Sequence, residues 1–132
     1  MRTKRSTTSK GLLGVAALAA SAGLLLSGCA AAEGNPTGTW LQSPAPTVGE
    51  VPQLVLEEGG GLSGTDGCNI FGGAWTRAGN EATFMDMIGT LKFCEGVDDW
   101  LKNAASATAV GPTLTVKDAD GKVIGELQRV ES

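Results

Sequence analysis

From Gly38 onward the chain runs in short stretches of alternating apolar and polar residues, each closed by glycine, proline or asparagine. Alternation places every second side chain on one face, so these stretches read as half-buried strands. Gly38–Gln42 is closed by Pro44 and Pro46, and Gln53–Glu57 lies between Pro52 and the run Gly59-Gly60-Gly61. Leu62–Asp66 and Ile70–Arg77 are separated by Gly67-Cys68-Asn69, with Phe71, Gly73 and Trp75 on one face. Ala78-Gly79-Asn80 forms the next turn, before Glu81–Asp86. Thr113–Lys117 alternates cleanly, and Asp120-Gly121 is a hairpin signal before Lys122–Val130. Turns this frequent predict an antiparallel meander or small barrel.

One segment departs from the period of two. Val97, Trp100, Leu101, Ala104 and Ala105 fall at helical spacing, which predicts a helix over Val97–Thr108 that covers one face or end of the sheet. Asp98 and Asp99 would then occupy its first turn, where the helix dipole favours negative charge. Trp40, Trp75 and Trp100 stand at strand-face and helix-face positions that suit a core, with the lining of a ligand pocket as the alternative.

Ahead of this domain the pattern changes again. A basic stretch, Met1–Lys10, precedes sixteen uncharged residues, Gly11–Leu26, as in a secretory signal. That run is short for a bilayer-spanning helix, which needs about 20 apolar residues. It ends in Leu26-Ser27-Gly28-Cys29, which resembles the lipobox of bacterial lipoproteins. The resemblance implies cleavage before Cys29, removal of residues 1–28 and a diacylglyceryl group on the Cys29 thiol. Two acyl chains hold a protein stably on a membrane, since each buried methylene contributes about 0.8 kcal/mol. Residues 29–37 read as a flexible tether and 38–132 as the folded domain. The expected location is the extracytoplasmic face of a bacterial membrane.

Charge narrows the partners. From Cys29 onward six basic residues face fourteen acidic ones, a net charge of −8 that repels phosphate backbones and argues against nucleic acid. The chain has no His, so a Ser-His-Asp triad and the commonest zinc ligand are both absent. Glu57-Glu58 and Asp98-Asp99 sit at turn or helix-start positions that favour solvation. Asp118 and Asp120 beside Gly121 lack the remaining ligands of a calcium loop. No catalytic residue, metal site or cofactor is implied.

With Cys29 acylated, Cys68 and Cys94 remain as a pair. In an oxidising compartment such a pair predicts a disulfide, with two free buried thiols as the alternative. Neither cysteine belongs to a Cys-x-x-Cys motif, which argues against a redox dithiol. Closing a 26-residue loop would stabilise the fold by about 3 to 4 kcal/mol. Gly67 and Asn69 read as the residues that fix the bend around Cys68.

The order of these signals resembles the META domain, or HslJ-like, family. The resemblance rests on Gly38-Thr39-Trp40, Gly64-x-x-Gly67-Cys68-Asn69, Phe71-Gly72-Gly73-x-Trp75, Thr90-x-x-x-Cys94, Trp100-Leu101, Leu114-x-Val116 and Asp120-x-x-x-Ile124. Leu91, Lys92 and Phe93 depart from the small and Met residues usual before the second Cys, and Trp75 stands where Tyr is common. The resemblance implies a mainly β fold, a curved antiparallel sheet or partly open lipocalin-like barrel with one covering helix. It implies a non-enzymatic envelope role in stability, stress tolerance or partner binding, and carries no catalytic set. An inhibitor of a secreted hydrolase, or a carrier of a small apolar ligand, is the alternative. The stiff loop Gln42–Glu50 would suit inhibition.

Overall fold

The computed structural model describes residues 34–131. The signal, the lipobox and Cys29 lie outside the described residues. The chain forms eight antiparallel strands that follow one another around a closed barrel: β1 (Gly38–Leu41), β2 (Gln53–Leu56), β3 (Gly61–Thr65), β4 (Ile70–Ala78), β5 (Glu81–Gly89), β6 (Ser106–Val110), β7 (Thr113–Lys117) and β8 (Val123–Arg129). Eight strands enclose an interior that side chains can just fill. Here Trp40, Leu54, Leu56, Leu62, Trp75, Leu114, Val116 and Leu127 fill it, with Ala82, Ala107 and Ala109 leaving room for the indoles. Those inward residues alternate along their strands, so the period-two pattern became the two faces of the wall.

Two expectations are corrected. The barrel closes rather than staying partly open, because Trp40 pairs with Arg129 and Leu41 with Gln128. The helix expected over Val97–Thr108 is one 3-10 turn, Trp100–Asn103, and Ser106–Val110 is strand β6. Ala104 and Ala105 continue the helical face of Val97, Trp100 and Leu101, whereas Ala107 and Ala109 alternate as in a strand. Pairing decides between the two periods, because β6 supplies the ladder that joins β5 to β7, through Ala82–Ala107 and Ala107–Val116 among others. What survives of the helical reading is its anchor: Leu101 is fully buried and Trp100 packs against the core.

Trp100 lies over Gly125, where a β-carbon would come within 2.6 Å of its ring carbons. Its indole N–H donates to Gln42 Oε1 at 3.0 Å. Because β1 pairs only with the last residues of β8, the 3-10 turn fills the wall where β1 has ended.

The chain enters the barrel packed rather than loose. Trp40 Nε1 donates to Pro36 O at 2.9 Å, and Pro36 is buried. Arg129 donates to Thr37 O at 3.0 Å and to Asn35 O, while its guanidinium lies 4.3 Å from the centre of the Trp40 ring. Gly34 sits against Ala109 and Gly111, at the barrel end that holds the β6–β7 turn. Residues 34–37, read from the sequence as part of the tether, are therefore fixed to the wall. Among the described residues no helix is long and apolar enough to cross a membrane.

Candidate functional site

At the other end of the barrel the loop after β5 is tied to the bend between β3 and β4. Gly67 takes φ of +100°, a conformation that side chains resist, and turns the chain so that Cys68 meets Cys94. The two are bonded as a disulfide, with 5.8 Å between their α-carbons. Asp66 is buried, and its Oδ1 accepts the N–H groups of Cys68 at 2.9 Å and Asn69 at 2.6 Å. Asn69 carries the next link. Its Oδ1 accepts from Lys92 N–H at 2.6 Å and from the Thr90 hydroxyl at 2.7 Å, and its Nδ2 donates to Lys92 O at 3.0 Å. Thr90 Oγ1 in turn accepts the Ile70 N–H at 3.2 Å.

The Gly-Cys-Asn motif is thus more than a bend. It holds Thr90–Cys94 by a covalent bond and a buried amide whose hydrogen-bonding atoms are used on the backbone of Lys92. Asn69 and Asp66 acquire roles that the sequence reading did not assign; the available signal was the Asp-Gly-x-Asn pattern of an Asx-type turn.

Beside this loop lies a cavity of about 380 Å³. Phe71 and Met87 form its apolar floor and pack on the core, while Asp99, Lys102 and Asn103 of the 3-10 segment form one bank. The rim is exposed and apolar: Ile70 is 64% exposed, Ile88 77% and Leu91 98%, with Phe93 at 88% a little further along the loop. These side chains form one exposed apolar patch on and beside a loop tied down by the Cys68–Cys94 bond and by Asn69. On the far bank Lys102 Nζ and Asp99 Oδ2 are 2.8 Å apart. The hydrogen bond and charge of Asp99 raise the Lys102 ammonium above its ordinary pKa of 10.5, so it stays charged.

The wall beside the cavity is incomplete. β6 pairs with β5 only through Glu81–Thr83, and Phe84 N–H makes a last bond to Ala105 O at 3.0 Å. Beyond that point the chain before β6 turns off into the 3-10 turn. A bulge follows in β5, where Gly72 faces Ile88 but Ala74 faces Met85, and Asp86 takes φ of +55°. Thr90 N–H donates to Ile70 O at 3.0 Å, which turns the backbone of Ile88 and Thr90 towards β4. The backbone N–H and C=O of Met87 and Gly89 consequently face the gap, and no strand pairs with them among the described residues.

Other residues singled out from the sequence have structural roles. Trp75 Nε1 donates to Glu57 O at 2.8 Å, so all three indole N–H groups are partnered. None of the three tryptophans lines the larger cavity, although Trp75 borders a smaller one of about 130 Å³ with Glu58 and Arg77. Asp118 Oδ1 accepts the N–H groups of Asp120 and Lys122 at 2.9 and 3.0 Å, which makes it the fastener of the β7–β8 turn. The Gln42–Glu50 loop is largely exposed and is held at its end by Glu50 N–H on Gly67 O, 3.1 Å. Among the described residues no group of three or more Asp, Glu or Cys is placed to hold a metal ion.

A closed eight-stranded meander with a disulfide-fixed loop at one end is the class that fold and site define together. The META domain family model matches residues 35–131, and the chain belongs to that family. Searches of curated proteins and of solved structures find no significant match.

Proposed function

We propose that this META domain is an exported protein anchored by a diacylglyceryl group at Cys29 on the extracytoplasmic face of a bacterial membrane. Its role there is non-enzymatic and needs no cofactor: it binds an envelope partner, and through that partner serves envelope stability or stress tolerance. The observation that carries the binding role is the exposed apolar rim of Ile70, Ile88 and Leu91, fixed by the Cys68–Cys94 bond around a cavity. The anchor is supported by Leu26-Ser27-Gly28-Cys29 after an uncharged run, and export by the disulfide, a bond typical of oxidising compartments. The net charge of −8 from Cys29 onward disfavours nucleic acid.

The anchor is tested by mass analysis of the exported protein. The expected N-terminus is Cys29 bearing acyl mass, and Cys29→Ser should lose that mass and stay unprocessed at this position. A wild-type N-terminus elsewhere, or Cys29 without acyl mass, would overturn it.

The apolar floor of Phe71 and Met87 favours a second reading, a carrier of a small apolar ligand. A fluorescent fatty acid that binds the purified protein, and is lost on Met87→Glu, would decide for the carrier.

A further inference from the structure

We infer that the partner is an extended peptide segment that pairs with the open edge of β5, in the place that β6 leaves when it turns away. This deepens the partner-binding reading and rests on it. The gap presents the backbone donors and acceptors of Met87 and Gly89 in the plane of the sheet, which is what an added strand satisfies. A guest strand continuing the ladder of β6 would lie between β5 and the bank formed by Lys102 and Asn103. Its alternate side chains would then fall on the apolar floor of Phe71 and Met87 and against the rim at Ile88 and Leu91.

The surroundings select the occupant. The gap is bordered on both sides, so a segment without structure of its own enters it. A second copy offering its own β5 would bring its own 3-10 bank into the same space. The described chain enters the barrel at Gly34, beside Ala109 and Gly111. That is the end of β5 marked by Glu81, opposite Gly89. After removal of residues 1–28 only five residues would precede Gly34, about 18 Å of extended chain at most. The net charge of −8 favours neutral or basic segments over acidic ones. Asp86, exposed at the bulge, is the kind of charge that keeps an open edge from pairing indiscriminately.

The test uses the intact exported protein in detergent. A displayed library of short linear peptides is selected against it, and the strongest binder is remade twice, with N-methyl groups on one alternate set of amides or on the other. An added strand points only one set at β5. One N-methylated form should therefore lose about tenfold or more in affinity while the other stays within about twofold. The amides of Met87 and Gly89 should gain protection from hydrogen exchange in the complex. Leu91→Glu should weaken binding about tenfold. Val123→Glu, at an exposed apolar residue of β8, should leave binding unchanged. Equal tolerance of both N-methylated forms, unaltered exchange at Met87 and Gly89, or failure to select any peptide would overturn strand addition. Because the assay gives the same affinity with Cys29→Ser if the domain binds as described, loss of the anchor and loss of this site are told apart.

Discussion

The ring of Trp100 occupies the space that a side chain on Gly125 would need, its carbons 2.6 Å from an ideal β-carbon there. The contact joins the 3-10 turn to β8 and makes Gly125 the seat of the residue that completes the wall. Gly125→Ala should destabilise the domain by about 1 to 3 kcal/mol, the usual cost of overpacking. In a Trp100→Ala background the same change should cost much less, because the clashing atoms are gone. Urea unfolding of the four proteins measures the coupling; equal costs in both backgrounds would remove Trp100 from the explanation.

Asn69 provides a second test. Asn69→Ala leaves the Lys92 N–H without its acceptor and the Lys92 carbonyl without its donor, at an expected cost of about 2 to 3 kcal/mol. Asn69→Asp keeps an acceptor for the Lys92 N–H but sets a buried carboxylate oxygen against the Lys92 carbonyl, so it should cost at least as much as alanine. Hydrogen exchange at Lys92 should accelerate in Asn69→Ala; an unchanged rate there would remove Asn69 as its partner.

Cys68 and Cys94 are a staple between this bend and the loop. Replacing both by serine should cost about 3 to 4 kcal/mol by the loop-closure argument, with a separation of 26 residues. Exposure of Leu91 and Phe93 would no longer be enforced, so peptide affinity should fall along with stability. Thermal unfolding with and without reductant checks the first part; unchanged melting on reduction would show the bond to be dispensable.

Arg129 combines a fork-shaped hydrogen-bond donor with a charge over Trp40. Arg129→Lys keeps the charge and loses the fork, so residues 34–37 should become sensitive to limited proteolysis while the barrel stays folded. Trp40→Ala, in contrast, empties a fully buried site and should cost about 3 to 5 kcal/mol. Circular dichroism separates a freed entry segment from an unfolded barrel.

Much of the barrel could be read from local pattern. Thr113–Lys117 alternates a buried Leu114 and Val116 with polar residues, and it is strand β7 with those same ends. β6 was hidden because its inward residues, Ala107 and Ala109, are strong helix formers that follow directly on the helically spaced Ala104 and Ala105, and only its pairing with β5 and β7 reveals it. Closure was hidden for a similar reason. It rests on Trp40–Arg129 and Leu41–Gln128, contacts between the first and last strands that no local pattern announces. The disulfide could be read from the even pair of cysteines that follows Cys29, on the expectation of an oxidising compartment, but the work of Asn69 could not, since its partners Thr90 and Lys92 lie more than twenty residues away. The open edge of β5 is legible only in three dimensions, as a strand that outlasts its neighbour.

The pairing of the first strand with the last brings the two ends of the folded domain together: Val130 N–H bonds to Thr39 O at 2.9 Å, and Arg129 reaches Asn35. Chain order around the barrel is then a circle with an arbitrary cut. A few glycines joining Glu131 to Gly34 should allow the cut to be moved to the exposed β7–β8 turn at Gly121, giving a circular permutant with the same wall and the same groove.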